Sequence, residues 1–136
     1  MTGTQPYILD ASALVELFNG HPAVMNMLAD AEVDRFSVVA PAAAVLEAQV
    51  VLKATPAMWE YMLDRRVVEL PLHGEASVEA GNYARPRLEH HPMCRLLTGP
   101  PMVGHVLREA KEMGGAIVTV IPENYGGHDV AVTVLD

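Results

Sequence analysis

Apolar positions along this chain fall into short unbroken runs separated by stretches with helical spacing. Tyr7 to Leu9 is a run of strand-forming residues that meets Asp10. Ala11 to Phe18 then reads as a helix closed by Asn19 and Gly20. His21 and Pro22 restart a helical pattern carrying Val24, Met25, Met27 and Leu28, and Phe36 to Val39 is a second apolar strand ended by Pro41. Pro41 suits the first turn of the next helix, which extends to about Ala54. Pro56 begins another through Trp59 and Met62, and Val67 to Leu70 makes a third strand. From Gly74 to Thr98 the pattern gives helical pieces broken at Gly81, Pro86 and Pro92. Pro100 and Pro101 open a helix with Val103, Val106, Leu107, Ala110 and Met113 on its apolar side, ended by Gly114 and Gly115. Ala116 to Ile121 is a strand, Pro122 to Asp129 a loop, and Val130 to Leu135 the last strand.

Unbroken apolar strands alternating with helical connections predict a mainly parallel sheet, buried on both faces between helical layers. Residues 1–136 are enough for one such α/β domain with a real core. Open sheets of this kind bind ligands outside the carboxyl ends of their strands, which directs attention to Asp10, the Ala40 to Pro41 junction and the segment after Ile121. The longest apolar stretch, Val38 to Leu46, stops at Glu47 and contains Pro41, so no membrane span is expected. Met1 to Pro6 carries no Lys or Arg, unlike a signal peptide. Cys94 is the single cysteine, which rules out an internal disulfide and agrees with a soluble, cytoplasmic protein.

Charge narrows the function. Nine basic residues against 17 acidic ones give a net charge of -8, which opposes non-specific contact with a phosphate backbone. Basic residues concentrate once, as Arg85, Arg87 and Arg95 with His90 and His91 between them, a pattern most simply read as a solvated face. The histidines show no zinc spacing, no glycine-rich phosphate loop is present, and no serine sits in a nucleophile elbow. The eight methionines are read as core filler.

Two acids stand out. Asp10 ends the first strand, where a carboxylate commonly caps the helix that follows. Glu47 has Ala43, Ala44, Val50 and Val51 around it on one helical face and no Lys or Arg three or four residues away. A buried carboxylate needs a cation, a metal or a proton, so the pair suggests a shared Mg²⁺ or Mn²⁺ at the sheet edge. Ser12 is placed to hold a neighbouring carboxylate or a metal-bound water, although such hydroxyls usually serve the backbone.

With these residues in view, the segment Tyr7 to Val15, with Asp10, Ala11 and Ser12 at its centre, resembles the opening of a PIN domain. Ala40 and Pro41 followed by Glu47 are similar to the family's second acidic position, and Gly114 to Thr119 resembles its late passage from helix to strand. The resemblance implies a three-layer α/β/α sandwich with a central, mainly parallel sheet. It also implies metal-dependent cleavage of RNA, as in toxin-antitoxin nucleases, by three or four acids around divalent ions that activate water. Asp10 and Glu47 then take the catalytic and metal-binding places, with Ser12 and Thr119 beside them. The third acid would fall at Val103, Gly104 or His105 and the fourth at Ile121, none of which is a carboxylate. His105, Glu123 and Asp129 are the candidate substitutes.

Two functions follow. In the first, the nuclease site has degenerated and the chain acts through binding, as a homodimer or with a small antitoxin-like protein. In the second, it is an active Mg²⁺- or Mn²⁺-dependent endoribonuclease acting on RNA.

Overall fold

The computed structural model describes residues 5–90 and 97–136, and of residues 85–90 the backbone alone. In chain order the elements are β1 (Tyr7–Leu9), α1 (Ala11–Phe18), α2 (Pro22–Glu32), β2 (Val38–Pro41), α3 (Ala42–Leu52), α4 (Pro56–Leu63), β3 (Val67–Leu70), α5 (Gly74–His90), α6 (Pro100–Met113), β4 (Ala116–Thr119), a 3₁₀ turn at Pro122–Tyr125 and β5 (Ala131–Val134). The sheet runs β3-β2-β1-β4-β5 with every pair parallel, between helical layers in a three-layer α/β/α sandwich. None of the described helices is long and apolar enough to cross a membrane.

The core lies where the pattern of apolar runs placed it. Ile8, Leu9, Val38, Val39, Ile117 and Val118 fill the central strands, covered by Leu14 and Leu17 of α1, Val24 and Leu28 of α2, and Met102, Val106 and Leu107 of α6. Burial on both faces holds for these central strands and fails at the edges. Val68 on β3 and Val134 on β5 are exposed, because an edge strand has a neighbour on one side only. The second strand also begins later than its apolar run suggests. Val38 pairs with Tyr7 and Pro41 with Leu70, so Pro41 closes β2 and caps α3 instead of lying in its first turn.

The middle of the chain differs most from expectation. Residues 74–90 form one helix that continues through Gly81 and Pro86, while Pro92 lies outside the described residues. Packing explains why the weak points at Gly81 and Pro86 do not divide it. Helix α5 has its most extensive contacts with α6, and Ala80 and Ala84 press on Gly104, where a Cβ would stand 2.2 Å from the Ala80 carbonyl oxygen. Tertiary contact of this closeness overrides local propensity. Of the basic cluster, the side chains of Arg85, Arg87 and His90, together with His91 and Arg95, lie outside the described residues.

Candidate functional site

Strand β1 is the switch point of the sheet: β2 and β3 lie to one side of it, β4 and β5 to the other. Its pairing with β4 carries past Leu9, since the Asp10 N–H donates to the Val118 carbonyl at 3.2 Å. The backbone then turns into α1, and Asp10 caps that helix by accepting the Ala13 N–H at 3.0 Å on Oδ1. The same oxygen accepts the Ser12 hydroxyl at 2.7 Å, and Oδ2 accepts the Tyr125 hydroxyl at 2.7 Å. Asp10 is 0% exposed. Burial pushes its carboxyl above the ordinary range, opposed by hydrogen bonds from Thr119, Ala13, Ser12 and Tyr125.

Ser12 and Thr119 complete this cluster. Their hydroxyls lie 3.1 Å apart, the Val120 N–H donates to Ser12 Oγ at 2.8 Å, and the Ile121 N–H donates to Thr119 Oγ1 at 2.9 Å. Asp10, Ser12 and Thr119 therefore come together, as the end of β1 and the end of β4 require. Tyr125 escaped the sequence reading, because a single aromatic beside two glycines in a loop carries no motif.

Glu47 finds its partner elsewhere. Its Oε1 accepts the Gly99 N–H at 3.1 Å, at the N-terminus of α6. Pro100 and Pro101 have no N–H, so Gly99 supplies one of the few donors that this helix end can offer. A Cβ at this position would stand 2.8 Å from the carboxylate oxygens, so any larger residue would require the Glu47 side chain to shift. The contacts of the Asp10 and Glu47 carboxylates share no residue.

Helix α6 returns the favour to α3. His105, 0% exposed, accepts the Ala43 N–H on Nδ1 at 3.2 Å, in the first turn of α3, whose cap residue Pro41 provides no side-chain bond. That acceptance fixes the neutral tautomer with hydrogen on Nε2, which donates to Glu109 Oε2 at 3.1 Å. Arg108 also donates to Glu109 Oε2, at 2.8 Å, and to Glu79. Burial pushes the His105 imidazole down, against the pull of Glu109. Both ring nitrogens are thus engaged within the protein.

At the position where the resemblance implies a third acid, the chain is packed. Val103 is buried in the core, and Gly104 takes the close approach of Ala80. Glu123 and Asp129 are exposed. Among the described residues no three of His, Cys, Asp and Glu gather into a group able to hold a metal ion. Asp10 is fully buried and its oxygens face the hydroxyl and N–H donors of Ser12, Ala13 and Tyr125. Among the described residues, this donor set falls short of the three or four acids that the resemblance implies.

No protein-family model matches the chain, and no curated protein matches it. Solved structures do, over nearly the whole length. VapBC2 from Rickettsia felis bound to a DNA fragment from their promoter superposes with a TM-score of 0.65 at 18% identity, covering 96% of this chain and 98% of that one. DNA-bound VapBC from Salmonella typhimurium gives 0.66 at 14% identity, with coverage of 96% and 98%. FitAcB from Neisseria gonorrhoeae gives 0.55 at 17% identity, with 93% and 95%. The fold is PIN-like, as the Asp10 and Glu47 segments suggested.

Proposed function

We propose that this chain is a PIN-like protein of ribonuclease ancestry whose nuclease site has degenerated, and that it acts in the cytoplasm by binding, as a homodimer and with a small antitoxin-like protein. The observation that carries this reading is the state of Asp10: the acid at the switch point is 0% exposed and its oxygens are taken by Ser12, Ala13 and Tyr125. Any Mg²⁺ or Mn²⁺ is bound weakly here, since too few oxygens are offered to displace its waters. The described surface suits assembly: Leu46 and Val50, four apart on α3, are 67% and 61% exposed, apolar area that a partner would cover. Two structural neighbours, VapBC2 and VapBC, are bound to DNA. With a net charge of -8, this chain would reach DNA through a basic partner and not by itself.

The runner-up, an active Mg²⁺- or Mn²⁺-dependent endoribonuclease, draws on the meeting of Asp10, Ser12 and Thr119 at the crevice. One experiment separates them: RNA cleavage and thermal melts of wild type and Glu47→Gln, with and without Mn²⁺. The binding reading expects no metal-dependent cleavage and no shift of the melt with Mn²⁺. It expects Glu47→Gln to lose about 0.5 kcal/mol, the worth of a carboxylate at a helix N-terminus. Strong Mn²⁺-dependent cleavage by wild type, abolished in Glu47→Gln, would establish the nuclease instead.

A further inference from the structure

The Pro122–Tyr125 turn lies where the fold would otherwise open to a ligand. The crevice of an open parallel sheet forms at its switch point, here between the carboxyl ends of β1 and β4. Asp10 follows β1 directly, and the turn begins just after β4. From there the turn reaches back to both sides. The Tyr125 hydroxyl meets Asp10 Oδ2 at 2.7 Å, and Asn124 Nδ2 donates to the Leu97 carbonyl at 3.3 Å, in the segment leading into α6.

We infer that this turn is a strap over the crevice: Tyr125 closes Asp10 from the end of β4, and a ligand reaching Asp10 must first lift the turn. The inference rests on the reading of a closed site and identifies what closes it. Three features favour lifting of the turn as a unit, against the cost of drawing the buried Tyr125 ring from the core. Its backbone bonds are local, from Asn124 N to Ile121 O, Gly126 N to Glu123 O and His128 N to Tyr125 O. It runs into exposed Gly126 and Gly127, the latter at φ +85°, a conformation that glycine adopts without strain. The closed state also leaves Asn124 Oδ1 buried with no hydrogen-bond partner among the described residues, an acceptor that water would satisfy on opening.

Carboxyl labelling with a water-soluble carbodiimide and an amine, read by mass spectrometry on the full chain, tests the strap. Tyr125→Phe keeps the ring and removes only the hydroxyl. Loss of the bond to Asp10 should raise the rate of Asp10 modification about tenfold, while exposed Glu69 reacts as before. Asp10 modified at the wild-type rate in a folded Tyr125→Phe chain would overturn the strap. Wild type gives a second reading that needs no variant. Labelled through sub-denaturing urea, Asp10 should become reactive while the amides of β1 remain protected from exchange, the mark of a local opening. Reactivity that appears only with global unfolding overturns the inference. Failure of the binding reading is separately visible: Mn²⁺-dependent RNA cleavage by wild type would remove that reading without altering the labelling result.

Discussion

Asp10 and Glu47 both serve helix N-termini, but in different surroundings. Asp10 lies at the centre of the open end of the sheet, fully buried, and joins α1, Ser12 and the Pro122–Tyr125 turn through three hydrogen bonds. Glu47 lies half-buried between α3 and α6 and accepts the Gly99 N–H. The two acids look equivalent as a pair spaced along a chain. Their worth is decided by burial and by the number of donors each satisfies. In the dry site an acid becomes a cross-link whose removal strands several partners, and at the half-wet site it tunes the meeting of two helices.

The comparison can be broken from the α6 side first. Gly104→Asp would return an acid to the region where the family pattern has its third, but its Cβ would meet the Ala80 carbonyl at 2.2 Å. Overpacking together with a charge forced into a helix interface should cost about 4 kcal/mol, measured by urea unfolding. A tolerated Gly104→Asp would mean that α5 can give way. Next in size, Asp10→Ala removes the acceptor of three bonds and leaves buried hydroxyls stranded, at a cost of about 3 kcal/mol. Glu47→Ala should cost less than about 1 kcal/mol. Equal costs for the two acids would erase the distinction between them.

Smaller, and of opposite sign at the two sites, is the response to pH. His105 is pushed below its ordinary 6.5 by burial, so the unfolded chain binds the proton more readily. Its contribution to stability is full above pH 6.5 and is lost as the pH falls through that value toward its lower native one. Protonated Nδ1 can no longer accept the Ala43 N–H, while Glu109 and Arg108 face the ring from its other side. Asp10 is pushed above its ordinary 3.8, so its contribution is full below that value and is lost as the pH rises through the raised one. Unfolding of His105→Gln across acid pH should therefore show a shallower loss of stability below 6.5 than wild type.

Much of this was legible in the residues themselves. Runs such as Tyr7 to Leu9 and Ala116 to Ile121 announce buried parallel strands because both faces of the central strands are covered, although the latter strand ends at Thr119. Asp10, Ser12 and Thr119 meet as the resemblance implies, whereas the Glu47 carboxylate, expected beside them, bonds to Gly99. The partner of Glu47 was not legible, since Gly99 lies 52 residues away and contributes a backbone N–H that no side chain advertises. Tyr125 was hidden for a similar reason, 115 residues from the carboxylate it closes. The continuous α5 was missed because Gly81 and Pro86 were weighed locally, whereas the contact of Ala80 and Ala84 with Gly104 is tertiary.

The most direct test of a site closed by its own chain is a Mn²⁺ titration of the wild-type protein followed by isothermal calorimetry. The closed site predicts no saturable binding below about millimolar Mn²⁺, because Asp10 is fully buried under Tyr125 and the remaining oxygens are too few. Stoichiometric binding at micromolar Mn²⁺, lost in Asp10→Asn, would show that the carboxylate is available to a metal and would contradict the account.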